Sequence, residues 1–278
     1  MLLSPELISP RNLKRISDAV YQHCGINLHD GKQELVQARL TKLLRHSHFD
    51  SLTDYLDHVL ANQDGDDFSD LIDSLSTNLT SFFRESDHFT YLGRNFLPAL
   101  LTRKRAANQS TLRGWSAACS SGEEPYSISM VVRDVLESSA STLSARILAT
   151  DISHRILQTA REGIYDRQRT SPVPPNFKRF LATSSQRPNT VEPSAEIRHL
   201  VRFAHLNLIE PWPFAGPFDF IFCRNVMIYF DKPTQQRLIA RFYDILDSGG
   251  VLFTGHSESL TGITHRFRYV QPTIYAKP

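Results

Sequence analysis

The sequence predicts a doubly wound α/β domain preceded by a small all-helical domain. In the first third of the chain, apolar residues recur at helical spacing, and no strand pattern occurs before about Thr111. From Thr111 onward, short apolar runs alternate with helical segments, which is typical of a mostly parallel sheet with helices on both faces. A turn containing a glycine joins the first of these strands to a long helix, as in the nucleotide-binding half of this fold. We therefore place the helical domain at residues 1–86 and the α/β domain at residues 87–278.

The composition is that of a soluble globular protein. Of the 278 residues, 41% are hydrophobic and 22% are charged, and the net charge of +2 gives no argument for nucleic-acid binding. The three cysteines are widely spaced, which indicates neither a disulfide framework nor a cysteine-based metal site. No signal-peptide core is present, and no apolar run approaches the ~20 residues that a membrane helix needs. We expect a cytoplasmic protein without membrane insertion.

Four helices are expected in the first domain, and the second of them has two contrasting faces. Its apolar face carries Val36, Leu40, Leu43 and Leu44. The opposite side carries four cations, which are Lys32, Arg39, Lys42 and Arg45. Such a face is either an ordinary solvated surface or a docking surface for an acidic partner.

The α/β domain is expected to contain one insertion. Arg146–Asp151 and Phe218–Cys223 are predicted strands, and the second of these is apolar enough to be covered on both faces. Between them, residues 165–196 break the rhythm with Pro172, Pro174, Pro175, Pro188 and Pro193. This segment is too long for a plain connection, so we interpret it as an insertion that is either ordered as a subdomain or mobile.

The turn at Cys119–Gly122 differs from a dinucleotide-binding turn. It has one glycine, and Glu123 and Glu124 follow it at the entrance of a helix that we expect to begin at Pro125. Two carboxylates would repel a pyrophosphate and favour a cationic ligand. S-adenosylmethionine fits, because it carries a sulfonium, an ammonium and hydroxyl groups but no phosphate.

Ligands of open parallel sheets bind beyond the carboxyl ends of the strands. Four stretches should converge there, namely 120–124, Asp151, 207–208 and 224–229. Each also has a structural reading: the glutamates could complement the helix dipole, Asp151 could cap the next helix, and Asn225 could form a turn. His256, Ser257 and Glu258 are more consistent with a structural turn than with a catalytic triad.

Four segments, in order, resemble motifs of the CheR family of chemotaxis methyltransferases. They are 77–84, 115–127, 222–230 and 249–258, and together they extend across most of the chain. One departure is Ser121, where the family pattern has threonine.

The resemblance implies a class I methyltransferase with a Rossmann-like sheet, and a small β subdomain at residues 165–196. It also implies an enzyme that transfers a methyl group from S-adenosylmethionine to glutamate side chains of membrane chemoreceptors, without a metal. The products would be glutamate methyl esters and S-adenosylhomocysteine, in chemotaxis adaptation or related chemosensory signalling. The expected partner is the cytoplasmic helical domain of a chemoreceptor. In some family members the β subdomain also binds a tethering peptide at the receptor's C-terminus.

The resemblance further assigns residues to the site. The cofactor-binding set is Asn78, Thr80, Arg84, one or both of Glu123 and Glu124, Asp151, Asn207, Leu208, Asn225 and Val226. Arg84 is expected to orient the substrate carboxylate, although by itself it could be a solvated arginine at a helix end. Tyr229 is either catalytic or part of the core.

Two other classes of protein remain to be weighed. A nicotinamide oxidoreductase is disfavoured by the missing glycines and by the paired glutamates. A non-catalytic cofactor sensor or scaffold could keep the binding residues, but it would have no need of Arg84 or of the Asn78-x-Thr80 pair.

Overall fold

The computed structural model describes residues 7–28, 33–63, 65–76, 78–185 and 187–278. The chain divides into two compact units. The first unit extends to residue 77 and includes Tyr229–Thr234, and the second contains Asn78–Ile228 and Gln235–Pro278. This division falls earlier than the predicted domain boundary at residue 86.

The first unit contains the four expected helices, which are α1 (Pro10–Cys24), α2 (Gln33–His46), α3 (Leu52–Ala61) and α4 (Asp66–Leu75). The Ser9 hydroxyl caps α1 by accepting the Asn12 N–H, and Pro10 occupies a first-turn position. Gly25 ends this helix with a φ of 74°, which glycine adopts readily. Each of the four helices buries apolar residues, and Ile16, Leu40, Leu56 and Leu71 have no exposed surface. Leu43 and Leu44 of α2 are half-buried.

The second unit begins with helices and continues as alternating strands and helices. Its helices are α5 (Ser86–Tyr91), α6 (Leu97–Ala106), α7 (Glu123–Ser138), α8 (His154–Glu162), α9 (Ala195–Leu200) and α10 (Lys232–Ile245), and a π-helical turn at Leu92–Phe96 joins α5 to α6. Its strands are β1 (Thr111–Ala117), β2 (Ser144–Asp151), β3 (Tyr165–Asp166), β4 (Leu181–Thr183), β5 (Thr190–Pro193), β6 (Val201–His205), β7 (Phe218–Cys223), β8 (Leu246–Thr254), β9 (Arg268–Gln271) and β10 (Ile274–Ala276).

The main sheet has the strand order β6-β2-β1-β7-β8-β10-β9. The strands from β6 to β8 are parallel, and β10 and β9 form an antiparallel pair at one end. The chain runs outward from β1 to one side and then returns to β7 on the other side. The switch point between β1 and β7 creates the crevice in which doubly wound folds bind their ligands.

The predicted insertion forms a separate small sheet. Its three strands are antiparallel in the order β3-β5-β4, and 3₁₀ helices at Arg167–Thr170 and Pro175–Phe180 lie between them along the chain. Tyr165 and Phe180 are fully or almost fully buried. The prediction of an inserted β subdomain at this place is confirmed.

The core of the second unit explains why the division precedes residue 86. Phe82 and Phe83 pack in the same hydrophobic cluster as Phe220 and Phe222 of β7. The Phe83 N–H also donates to Ser127 Oγ in α7, at 3.0 Å. Aromatic burial and this buried hydrogen bond therefore join the segment after residue 77 to the sheet.

A close approach between two neighbouring strands of the sheet requires a glycine. A Cβ atom at Gly114 in β1 would lie 2.2 Å from the ring of Phe220 in the neighbouring strand β7. Gly114 in β1 thus makes room for the aromatic ring of Phe220 in β7.

Among the described residues, no helix has both the length and the apolar character needed to cross a bilayer.

Candidate functional site

The turn after β1 has an unusual backbone. Ala118, Ser120 and Gly122 all have positive φ angles, of 62°, 50° and 95°. A Cβ atom at Gly122 would lie 2.9 Å from the Tyr165 hydroxyl, so glycine is needed there for space as well as for conformation. Helix α7 begins directly afterwards at Glu123, two residues before the predicted start at Pro125. Both glutamates therefore lie in its first turn.

Asp151 lies at the end of β2 and holds this turn. One carboxylate oxygen accepts the backbone N–H of Ser120 at 2.8 Å, and the other accepts the N–H of Ser153 at 3.0 Å. Its residual exposure is 6%. The cap of α8 is the Ser153 hydroxyl, which accepts the Ile156 N–H, and not Asp151.

Glu123 has no exposed surface, and its carboxylate is bound within the chain. One oxygen accepts the Ser121 hydroxyl at 2.6 Å. The other pairs with Arg169, which belongs to the first 3₁₀ helix of the inserted subdomain. The Tyr165 hydroxyl donates to the Ser121 carbonyl at 2.7 Å, so the insertion holds the turn at two points.

Glu124 is held differently. One oxygen accepts the Ser116 hydroxyl at 2.7 Å, and the other lies 3.2 Å from Arg224. Burial raises the pKa of Glu124 above its usual value, and the charge of Arg224 opposes this effect. The Glu124 side chain keeps 12% exposure, whereas that of Glu123 keeps none.

Arg224 follows β7 directly and is buried. It pairs with Glu85 at 3.0 Å as well as with Glu124, and it donates to the backbone carbonyl of Arg84. Burial alone would raise the pKa of Glu85, but Arg224 and other hydrogen-bond donors lower it below the usual range. Sequence reasoning did not assign a role to Arg224, although it lies inside the 222–230 motif.

The segment that carries Asn78, Thr80 and Arg84 belongs to the second unit. The predicted domain boundary at residue 86 places it in the helical domain instead. The Asn78 carbonyl accepts the Ser120 hydroxyl at 2.9 Å, which places this segment beside the glycine turn. The Arg84 guanidinium donates to the Leu79 carbonyl at 2.7 Å. Asn78, Thr80 and Arg84 are half-buried.

The remaining predicted cofactor residues follow the ends of β6 and β7. Asn225 has a φ of 59°, and its N–H donates to Glu258 at 2.7 Å. The Asn225 amide also donates to Glu85 at 3.3 Å, and Val226 beside it is half-buried. Beyond β6, Asn207 and Leu208 are buried, and the Asn207 amide donates to Glu210 at 3.0 Å.

Glu258 has a structural role. It accepts the backbone N–H groups of Asn225 and Gly255, each at 2.7 Å, and that of Ile228 at 3.2 Å. His256 points elsewhere and contacts Asp87 at 3.1 Å. This geometry fits the structural turn that was expected in place of a triad.

A cluster of Glu85, His88 and His256 was not predicted. Its potential ligand atoms lie within 4.8 Å of one another, so the cluster has the composition of a metal site. Both Glu85 oxygens, however, already accept hydrogen bonds, from Arg224 and from Asn225. His88 is fully buried, and burial together with the charge of Arg224 lowers its pKa to about 4. The only sequence signal for this cluster is the Glu-x-x-His spacing of Glu85 and His88.

Tyr229 belongs to the first unit, where its carbonyl accepts the Asn27 N–H at 2.8 Å. The side chain is half-buried. The choice between a catalytic and a core role for Tyr229 stays a prediction.

The four predicted docking cations differ in their surroundings. Arg39 donates to the carbonyls of Ser74 and Ser76 at 2.6 and 2.7 Å, so it binds the C-terminal end of α4 and is not a simple surface charge. Lys42 and Arg45 are exposed. Lys32 lies outside the described residues.

Comparison with known proteins agrees with the motifs. Residues 11–76 match the family described as CheR methyltransferase, all-alpha domain, and residues 78–276 match CheR methyltransferase, SAM binding domain. The chain is 39% identical over 271 residues to a chemotaxis protein methyltransferase of Borreliella burgdorferi, covering 97% of this chain and 95% of that one. It is 38% identical to a chemotaxis protein methyltransferase of Escherichia coli, covering 97% and 91% of the two chains. It is also 38% identical to chemotaxis protein methyltransferase 2 of Pseudomonas aeruginosa, covering 95% and 92%.

The two matched regions meet where the structure divides the chain, and together they account for both units. The glycine turn with its two glutamates, the ordered motifs and this full-length similarity have one common explanation. The chain belongs to the CheR methyltransferase family and is an S-adenosylmethionine-dependent methyltransferase.

Proposed function

We propose that this methyltransferase transfers the methyl group of S-adenosylmethionine to glutamate side chains of chemoreceptors, giving glutamate methyl esters and S-adenosylhomocysteine. The observation that carries the proposal is the charge balance at the glycine turn. Glu85 and Glu124 share one guanidinium, that of Arg224, and Asp151 adds a further carboxylate nearby in the fold. The excess negative charge favours a cationic cofactor and would repel the pyrophosphate of NAD.

The contacts of the two glutamates suggest which of them binds the cofactor. Glu123 is fully buried and bound by Ser121 and Arg169. Glu124 keeps some exposure and shares its arginine with Glu85, so it is the better partner for the cofactor's ammonium or hydroxyl groups. In this proposal Asp151 accepts the ribose hydroxyls, and Asn207, Leu208, Asn225 and Val226 line the cofactor at the strand ends. Asn78 and Thr80 contact the methionine end.

The main task of the protein in this reaction is to place the substrate carboxylate against the methyl group of the cofactor. A glutamate carboxylate is already ionised at pH 7, so no general base has to remove a proton and no metal is needed to activate the nucleophile. The carboxylate oxygen must approach the sulfonium methyl in line with the breaking carbon–sulfur bond. The opposite charges of the reactants cancel as the bond forms, so electrostatic attraction serves binding more than the chemical step.

Arg84 is the proposed residue for orienting the substrate. Its guanidinium can hold a carboxylate through charge-assisted hydrogen bonds. The bond to the Leu79 carbonyl steadies the side chain, and the charge of Arg84 is close enough to lower the pKa of Glu124. Arg84 therefore lies in the electrostatic surroundings of the proposed cofactor residue.

We further propose that the protein acts in the cytoplasm on the helical cytoplasmic domain of a chemoreceptor, in chemotaxis adaptation or related signalling. The inserted sheet offers a second point of attachment, because β3 and β4 are its edge strands and an extended tethering peptide could add to either edge. Nucleic acid and membrane insertion play no part in this proposal.

The test uses labelled S-adenosylmethionine and a membrane fraction that contains chemoreceptors. We expect label on a receptor-sized band, release of that label in mild base, and inhibition by S-adenosylhomocysteine. Calorimetry should show binding of S-adenosylmethionine and poor binding of NAD. Absence of base-labile label, despite tight cofactor binding, would favour a cofactor-sensing protein instead.

A further inference from the structure

Arg224 connects the segment that contains Arg84 and Glu85 to the first turn of α7, which contains Glu124. The proposed reaction requires a fixed distance between these two segments. Its side chain keeps only 1% exposure. Nη2 and Nε donate to the same oxygen of Glu85 at 3.0 and 3.2 Å, and Nη1 lies 3.2 Å from Glu124. Nη2 also donates to the backbone carbonyl of Arg84. One guanidinium thus connects the segment of Arg84 to the first turn of α7.

The backbone on both sides of Arg84 needs such support. Phe83 and Glu85 have φ angles of 52° and 58°, in the left-handed region that residues other than glycine rarely adopt. Strained conformations of this kind persist only where the surrounding structure holds them. On one side the Phe83 N–H donates to Ser127 Oγ at 3.0 Å, and on the other side Arg224 binds both the Arg84 carbonyl and the Glu85 side chain.

We propose that Arg224 is a positioning residue for methyl transfer and acts through Arg84. This inference rests on the proposed function, in which Arg84 orients the substrate carboxylate beside the cofactor. By holding the Arg84 backbone against the helix that starts at the glycine turn, Arg224 sets the distance between the substrate and the sulfonium methyl. Lysine would keep the positive charge, but it lacks the planar fork that reaches two carboxylates and a carbonyl together.

A purely structural role makes a different prediction. A buried ion pair that only stabilised the fold would, when broken, lower stability and weaken substrate and cofactor binding without a selective effect on the chemical step. A positioning role lowers kcat, because misplacement of the reacting groups affects the transition state more than the bound state. The two roles can therefore be distinguished by kinetics: a positioning role predicts a variant with a lowered kcat, whereas a structural role predicts weaker binding and a raised KM.

The experiment compares Arg224→Lys with wild type in receptor methylation and in calorimetric binding of S-adenosylmethionine. We expect kcat to fall on the order of 10²-fold, the size seen for small misplacements of reacting groups, with little change in cofactor affinity. In an Arg84→Ala background the same substitution should cause little further loss, because both residues act on the same step. Arg133→Lys is the matched control, since Arg133 also contacts two carboxylates, Glu137 and Glu196, at 2.8 and 2.9 Å on the exposed side of α7.

Unchanged kcat in Arg224→Lys, or an equal loss with and without Arg84, would overturn the inference. If Arg224→Lys does not yield folded protein, Glu85→Gln tests the same bridge, because it keeps the side-chain shape and removes the charge that Arg224 binds. Because Glu85 also belongs to the negative charge that attracts the cofactor, this variant is compared at saturating S-adenosylmethionine. A lowered kcat is again the expected result, and an unaltered kcat again refutes the inference. Failure of the proposed function is distinguishable, since wild-type protein would then label no receptor.

Discussion

The Asp151 carboxylate accepts the backbone N–H of Ser120 at 2.8 Å, so the end of β2 fixes the turn that follows β1. The turn is strained, with positive φ angles at Ala118 and Ser120, and needs such an anchor. The same carboxylate also accepts the Ser153 N–H, which connects the turn to the start of α8. Asp151 therefore shapes the site and stands at its edge, where a ribose would bind in a fold of this type.

Replacing Asp151 should weaken cofactor binding. We expect Asp151→Ala to lose about 1.5–3 kcal/mol of S-adenosylmethionine binding free energy, the range for a hydrogen bond to a charged group. Asp151→Asn should lose less, because its carbonyl oxygen can still accept the Ser120 N–H. Calorimetry on folded variants measures both values. Equal affinity in wild type and Asp151→Ala would remove this residue from the cofactor site.

Replacing Arg84 should stop methyl transfer and leave the fold intact. The Arg84 side chain is half-buried and contributes one hydrogen bond, to the Leu79 carbonyl, so Arg84→Ala should remain folded. Turnover should be largely lost, and Arg84→Lys should restore little of it, because lysine cannot form a planar pair with a carboxylate. Steady-state methylation rates and thermal melting provide the comparison. Near-normal turnover by the Arg84→Ala variant would mean that Arg84 has a structural role.

The elements that form this site could be predicted where they are contiguous in the sequence. The strand β1, the glycine turn and the helix α7 follow one another directly, and β2 with its terminal Asp151 comes next in the alternation of strands and helices. Details that depend on distant residues could not be predicted. Nothing local indicates that Arg169 pairs with Glu123, or that Arg224 joins Glu85 to Glu124. Ion pairs between residues far apart in sequence become visible only once the chain is folded.

The same distinction applies to the fold. Glycines such as Gly249 and Gly250 commonly follow the end of a helix, but helix α10 already ends at Ile245 and both glycines lie within β8. Backbone hydrogen bonds with Lys277, near the chain's end, extend the pairing to these glycines. The structure divides the chain at residue 77, before the predicted boundary at residue 86, for a similar reason, since the burial of Phe82 and Phe83 against β7 is a long-range contact.

The inserted subdomain should influence the cofactor site. An insertion that was only an accessory would be separable from cofactor binding, but Tyr165 and Arg169 contact Ser121 and Glu123. We expect Arg169→Ala to leave the buried Glu123 carboxylate without its arginine and to destabilise the turn by about 1–3 kcal/mol, the cost of an unsatisfied buried group. Calorimetry should then show weaker S-adenosylmethionine binding.

The control for this experiment is Arg187→Ala in the same subdomain. Arg187 is 61% exposed and lies 3.4 Å from Glu162, away from the turn. The Arg187→Ala variant should bind S-adenosylmethionine with the same affinity as the wild-type protein. If both variants bind equally well, the contact between the insertion and the turn has no energetic consequence for the site.

His88 should make the protein less stable at acidic pH. Burial and Arg224 lower its pKa to about 4, against about 6.5 in an unfolded chain. Between these values the unfolded chain binds a proton that the folded protein does not, so stability present above pH ~6.5 is lost as the pH falls toward 4. The expected slope is about 1.4 kcal/mol per pH unit.

His88→Phe isolates this contribution. Phenylalanine keeps the ring that packs near Phe222 and Phe253, and the Thr273 hydroxyl can still donate to the Pro272 carbonyl. The other charged or ionisable groups facing His88, which are Glu85, Asp87, Arg224 and His256, are the same in both proteins. Denaturant unfolding at several pH values should show a shallower loss in the variant. Parallel pH profiles would mean that His88 ionises as readily folded as unfolded.

The exposed cations of α2 should accelerate receptor capture. Chemoreceptor methylation helices are expected to be rich in carboxylates, and the overall charge of +2 provides no general attraction. Lys42 and Arg45 are exposed on α2, whereas reversal of Arg39 would break its bonds to the Ser74 and Ser76 carbonyls. The double reversal Lys42→Glu with Arg45→Glu should therefore slow association without unfolding the helical unit.

The effect should depend on salt, because surface charges act over a Debye length of roughly 8–10 Å at physiological ionic strength. We expect slower receptor methylation at low salt, a difference that shrinks as salt is added, and unchanged affinity for S-adenosylmethionine. The control reverses the same number of charges on α1, at Arg11 and Lys14, which are also exposed. If the α1 and α2 variants are slowed equally, net charge and not the α2 face attracts the receptor. If neither is slowed at low salt, α2 is an ordinary solvated surface.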